Sequence, residues 1–106
     1  MLAMTYANVL FALADPTRRK VFEALRQNPQ TVTDLAANQT VSRPAVSQHL
    51  KTLEAAKLVQ ATPQGRNRLY SIRIEGLEEL RGYLDQFWSD ALGAYAAEVK
   101  RRTKPT

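Results

Sequence analysis

Between Val41 and Ile72 the sequence changes its repeat, and that change limits the fold more than anything else in the 106 residues. Val46, Leu50 and Leu53 come at three- and four-residue steps, the spacing of one buried helix face. Beyond them, residues 58–62 and 68–74 read as two strands, the second turning Tyr70, Ile72 and Ile74 inward and Ser71 and Arg73 outward. Pro63-Gln64-Gly65-Arg66-Asn67 supplies the turn between them. A helix with one polar face, followed at once by a basic hairpin, reads as a DNA-recognition helix with its wing.

The flanking sequence completes the outline. Tyr6, Val9, Leu10 and Leu13 recur at helical spacing and predict α1 at about 4–14. Asp15 is an N-cap with Pro16 at the first helical position, where its missing N–H costs nothing, and Val21, Phe22 and Leu25 line the buried face of α2 before Asn28-Pro29 stops it. Thr33 is placed to cap a short α3 over 34–38, with Leu35 and Ala36 toward the core and Asp34 at the positive end of the helix dipole. A tight turn from Gln39 to Val41 leads to Ser42, the cap of α4, which carries Arg43 and Pro44 in its first turn. With strands β1 (58–62) and β2 (68–74) and a last helix α5 at about 75–102, the order is α1-α2-α3-α4-β1-β2-α5. That is a mainly α fold with a small β-hairpin, a winged helix-turn-helix, read as a single DNA-binding domain over 1–106.

Charge is concentrated where this outline needs it. From Arg43 to Arg73 lie Arg43, Lys51, Lys57, Arg66, Arg68 and Arg73 against Glu54 alone, so this segment carries the whole net charge of +5 and the rest is neutral. A polyanion-binding surface needs such a segment, since neutralising phosphates releases condensed counterions. A solvated basic face has the same composition, so position decides. The outer face of α4 carries Arg43, Pro44, Ser47 and Gln48, types that fork onto guanine, contact a thymine methyl, donate or accept, and pair with adenine. Lys51 and Thr52, further along, suit phosphate. At the hairpin tip Arg66 and Arg68, with Asn67 between them, suit a phosphate backbone or a minor groove; the plainer alternative is a solubilising loop.

Composition excludes other classes. A chain this short predicts one small core without a separate catalytic domain, and no paired acid and base, nucleophile set, phosphate loop or metal set is present, so no catalytic residue and no cofactor is expected. The absence of cysteine removes disulfides, thiolate metal sites and thiol redox sensing. No apolar run reaches membrane-spanning length, and the first residues have neither a basic flank nor a small-residue cleavage site, so the reading is a soluble, cytoplasmic protein with no membrane partner.

Asp15-Pro16-Thr17-Arg18, the Val46-Ser47-Gln48-His49-Leu50 run and the Gly65-Arg66 to Tyr70 wing, in this order and spacing, resemble the ArsR/SmtB-type winged helix-turn-helix regulators over nearly the whole chain. The resemblance implies a prokaryotic dimeric repressor, with Arg43, Pro44, Ser47, Gln48 and His49 at the groove-facing end of α4 and Arg66 and Arg68 contacting DNA through the wing; Ser42 and Asn67, beside them in the sequence, are read as DNA-binding with them. Thr40 and Lys57 stand where such sequences commonly have glycine, which raises the prospect of backbone strain of order 1 kcal/mol at either if it turns left-handed. Many relatives sense metals through cysteines or through histidine and carboxylate pairs on the last helix. This sequence has neither, and its one histidine, His49, lies in the recognition helix, so no metal site is expected.

Leu77, Leu80, Leu84, Phe87, Ala91 and Tyr95, widened by Trp88 and Leu92, form a broader apolar stripe than α5 needs against a core made by α2 to α4 and the hairpin. The surplus, with Tyr6, Val9, Leu10 and Leu13 of α1, predicts a homodimer built on α1 and α5. Two recognition helices related by a two-fold axis would then meet an inverted repeat in double-stranded DNA with half-sites ~34 Å apart. The run from Lys100 to Lys104 either touches flanking phosphate or simply complements the C-terminus of its helix. A winged helix also serves as a protein-docking module, and the release signal, whether an organic ligand between α1 and α5, a regulatory protein or none, is open at this level.

Overall fold

The computed structural model describes residues 6–103. Among them the elements follow the expected order: α1 Tyr6–Ala14, α2 Pro16–Ala24, α3 Val32–Ala37, α4 Arg43–Ala55, β1 Val59–Gln64, β2 Asn67–Ile72 and α5 Ile74–Thr103. Positions 4 and 5 of the expected α1, and Lys104 of the basic run, lie outside the described residues.

Side-chain caps set the helix starts. The Arg18 N–H donates to Asp15 Oδ2 at 2.8 Å, with Pro16 opening α2, and the Ala45 N–H donates to Ser42 Oγ at 3.3 Å at the head of α4. For α3 the cap is Thr31 rather than Thr33: Thr31 Oγ1 accepts from the Asp34 N–H at 3.2 Å, and the helix begins earlier because Val32 packs against the core. Arg18 also reaches back over the α1–α2 corner. Its Nε donates to the Ala12 carbonyl at 2.6 Å, its Nη2 to that of Phe11 at 3.1 Å, and its guanidinium lies 5.4 Å from the Phe11 ring centre. With Arg19 Nη1 donating to the Leu13 carbonyl at 2.8 Å, three of the last four carbonyls of α1 are met by arginine side chains, which ties the corner.

The core is built around α4. Val46, Leu50 and Leu53 are completely buried, and packed with them in the core are Val21 and Phe22 of α2, Leu25 at its C-cap, Leu35 of α3, Leu58 and Val59 at the entry to the hairpin, and Tyr70 of β2. Helix α1 joins this core through Val9 and Ala12, which corrects the reading of a core made without it. Val9 has no exposed surface to offer a partner; α1 turns Val9 and Ala12 inward while Leu10 remains half exposed.

The hairpin pairs antiparallel from Val59↔Ile72 to Gln64↔Asn67, leaving a two-residue turn of Gly65 and Arg66 instead of the five-residue turn expected. Gly65 has φ 61°, the left-handed first position of a type II′ turn, and that one residue lets the strands run on to the tip. Gln30 and Tyr70 exchange backbone hydrogen bonds at 2.9 and 2.8 Å, tying the approach to α3 to the wing. Ile74 does not face inward: the chain leaves the sheet at Arg73, whose N–H donates to the Leu58 carbonyl at 2.9 Å, and Ile74 is exposed at the start of α5.

Helix α4 ends in a Schellman pattern, the Leu58 N–H donating to the Leu53 carbonyl and the Lys57 N–H to that of Glu54, both at 3.0 Å. Lys57 takes the left-handed position with φ 57°, and it is the one non-glycine residue to do so among the described residues; Thr40 does not.

Helix α5 has 30 residues, about 45 Å of helix. Leu77 and Leu80 pack on the core, and Tyr83 stacks on Tyr6 with ring centres 3.8 Å apart and meets Phe87 edge-on at 5.1 Å. Beyond this point the apolar stripe is uncovered: Leu84, Phe87, Trp88, Leu92 and Tyr95 are exposed, Trp88 by 63% and Tyr95 by 67%. The radius of gyration, 19.2 Å, far exceeds the ~13 Å of a compact chain of this length. Among the described residues no helix is long and apolar enough to cross a membrane.

Lys57→Gly should stabilise the fold by up to about 1 kcal/mol, since relief of left-handed strain outweighs the added freedom of the unfolded chain. A thermal melt should show a midpoint a few degrees higher, and an unchanged or lower midpoint would mean that Lys57 carries no strain.

Candidate nucleic-acid interface

The side of α4 opposite Val46, Leu50 and Leu53 is the one that the core leaves free. Arg43, Pro44, Gln48 and Lys51 are exposed along it, Ser47 is half-buried beneath them, and Ser42 is exposed at the capped end. Thr52 is half-buried beside Lys51: its hydroxyl donates to the Gln48 carbonyl at 3.4 Å, and both residues line a second hollow with Phe11 and Ala55 on the α1 side of the helix.

His49 is half-buried, and its charge contributes to the lowering of the Asp15 carboxyl at the N-terminus of α2. The main cause of that lowering is the hydrogen bond from the Arg18 backbone N–H; burial opposes it next, and the Arg18 charge, the His49 charge and the Thr17 backbone N–H each add a smaller lowering. Among the described residues no group of three or more histidine, cysteine or carboxylate side chains is placed to hold a metal.

The wing bends back toward α4 and encloses a cleft of about 340 Å³ with it. Ser47, Lys51, Arg66, Asn67 and Arg68 line this cleft, so five of the residues singled out in the sequence converge although up to 21 positions separate them. Arg68 is brought in by strand alternation: two residues before the buried Tyr70, it shares the face that packs on the core. Ser42, Arg43, Pro44, Gln48 and His49 are not among the lining residues; the first four continue the surface along α4.

Three polar lining residues were not anticipated. Thr31 and Thr33 arrive with the first turn of α3, which the Gln30–Tyr70 bridge holds against the wing, and Glu54 adds one carboxylate opposite Lys51, Arg66 and Arg68. No local pattern announces them, because the bridge joins residues 40 positions apart. A basic cleft of this kind, continuous with an exposed row of Arg, Pro, Ser and Gln side chains on a helix, has the chemistry to hold phosphate at one end and read base edges at the other.

Comparison with known proteins follows the same geometry. Residues 15–61 match the bacterial regulatory proteins of the arsR family, a span that takes in α2, α3, α4 and the start of β1. The chain is 52% identical over 85 residues to the HTH-type transcriptional regulator Rv2034 of Mycobacterium tuberculosis, covering 80% of this chain and 79% of that one. It is 31% identical to the transcriptional repressor SdpR of Bacillus subtilis, covering 76% of this chain and 89% of that protein. Among solved structures, an ArsR-like transcriptional regulator from Rhodococcus sp. RHA1 superposes with a TM-score of 0.74 at 28% identity, covering 95% of this chain and 94% of that one.

The lowered Asp15 carboxyl makes the α1–α2 corner acid-sensitive. A carboxyl held below its ordinary value stabilises the fold above the usual carboxylate range and loses that contribution as pH falls through the lowered value. Asp15→Asn keeps an N-capping side chain but removes this titration. The difference in urea midpoint between pH 7 and about pH 3 should therefore be smaller in Asp15→Asn than in the parent protein, and an equal difference would remove Asp15 from the acid response.

Proposed function

Because this chain belongs to the ArsR family of bacterial transcriptional regulators, we propose that it is a homodimeric repressor that grips an inverted-repeat operator in double-stranded DNA. Arg43, Pro44, Ser47 and Gln48 read base edges in the major groove, Ser42 and His49 flank them, and Lys51, Arg66, Asn67 and Arg68 hold the phosphate backbone along the cleft. The observation that carries this reading is the pairing of two unsatisfied surfaces on one chain: a basic cleft beside α4, and an apolar stripe on α5 that its own core leaves in water.

Apolar stripes of this extent on small proteins mark association surfaces. A second copy laid on Leu84, Phe87, Trp88, Ala91 and Tyr95, with Tyr6, Leu10, Leu13, Leu77 and Leu80 at its margin, would cover the stripe and relate two recognition helices by a two-fold axis. The domain then works as one unit over 1–106, α1 and α5 serving dimerisation. Release of DNA does not depend on a metal in this reading, since cysteine is absent and His49 is the one histidine. A protein-docking role is less well supported, because docking does not call for the excess of cationic side chains between Arg43 and Arg73.

Mobility shifts on operator variants separate the roles. Gln48→Ala should relax preference at one base pair, by about tenfold, and Arg66→Ala should weaken all sequences alike and reduce the salt slope by about 1. Binding that ignores both salt and sequence would sink the proposal.

Trp88→Glu tests the dimer separately. Sedimentation should show the variant as a monomer with its helix content intact, and binding to a paired site should drop to the level of a single half-site. A variant that stays dimeric would place the interface elsewhere.

A further inference from the structure

Helix α5 meets the end of the recognition helix through backbone hydrogen bonds as well as through Leu77 and Leu80. Just past the Schellman end of α4, the first turn of α5 is seated on the carbonyls of the capping residues: the Gly76 N–H donates to the Lys57 carbonyl at 2.8 Å, one turn from the Arg73 N–H bond to the Leu58 carbonyl. Gly76 is buried, and a Cβ there would overlap the Ala56 carbonyl oxygen and lie 2.9 Å from that of Lys57 and 3.0 Å from Leu58 Cδ2. Neither carbonyl is the yielding end of a flexible side chain, so any residue but glycine must push the two helices apart. Gly82, two turns later on the same helix, has open space around it.

We propose that Gly76 is a specificity-determining residue for operator architecture: by letting α5 rest on the C-terminus of α4 it fixes the angle between the DNA-reading helix and the dimerisation helix, and so the half-site spacing that the dimer accepts. This rests on the paired-operator reading above. In that dimer the two α4 helices are related only through α5 and the part of α1 stacked on it, so a tilt at the joint is carried to both recognition helices. A base-pair step is about 3.4 Å; a shift on the order of 1 Å at Gly76, with α5 pivoting on the Tyr6–Tyr83 stack about 10 Å along it, becomes about 3 Å over the roughly 30 Å of helix beyond. Arg73 and Glu75 brace the joint through a bidentate ion pair whose longer contact is 2.9 Å.

The test uses the full-length protein and a panel of inverted repeats whose half-sites are moved apart one base pair at a time. The parent protein should favour one spacing over its neighbours by about tenfold. Gly76→Ala should move that optimum by one or two base pairs, while sedimentation still shows a dimer and affinity for a single half-site stays within about twofold. Glu75→Gly, an exposed change that loosens the first turn without crowding it, should flatten the preference, and Gly82→Ala should leave it as in the parent. The proposal is overturned if both Gly76→Ala and Glu75→Gly keep the parental optimum and ratio, even if Gly76→Ala binds more weakly at every spacing, for that pattern marks a merely structural glycine. A parent protein indifferent to spacing would overturn the paired-operator reading itself, and with it this one.

Discussion

Val46, Leu50 and Leu53 are buried without remainder, and the placing of every charged side chain in the cleft follows from that. A helix can turn only one edge inward. Once that edge is committed to α1, α2, α3 and the root of β1, the opposite edge with Arg43, Pro44, Gln48 and Lys51 has nowhere to go but solvent. Tyr70, buried against the same core, does for the wing what Leu50 does for the helix, and strand alternation then carries Arg68 into the cleft. The interface is therefore the complement of the core, held by apolar contacts that never meet a ligand.

The same economy leaves α5 unfinished. Its first turns are fastened by Leu77, Leu80, the Gly76 backbone contact and the Tyr6–Tyr83 stack, after which the helix leaves the body with its aromatic side chains in water. An isolated helix of this kind gains little from intrinsic propensity, and most helical stability in proteins comes from packing of an amphipathic face. Small chains bury a low fraction of their surface, and here the far part of α5 lies beyond what this core can cover.

Where local chemistry decides, the sequence was readable. Asp15 and Ser42 cap the helices they were expected to cap, since an N-cap is an agreement between residues three apart, and the apolar steps of α2 and α4 identified the buried residues. Where competing local signals existed, packing chose between them. Thr31 and Thr33 are both capping residues, and burial of Val32 selected the first; Gly65 allowed a tighter turn than five polar residues suggested; Lys57 accepted a left-handed backbone that Thr40 avoided. Val9 shares a helix and a periodicity with Leu10, yet only contact with the core shows that one is interior and the other is not.

By itself the sequence determined the order of elements, the exposed polar face of α4 and the surplus of apolar residues on α5, because these are written in periodicity, capping and charge over a few neighbouring positions. Only the tertiary structure decided that Thr31, Thr33 and Glu54 share a cleft with the wing, that α1 belongs to the core, and that Gly76 sits against the carbonyls ending α4. The first and last of those facts depend on backbone groups meeting across 40 and 19 residues, at the Gln30–Tyr70 bridge and at the Gly76–Lys57 contact. A backbone amide has the same chemistry at every position, so nothing in the string of side chains says which two will meet.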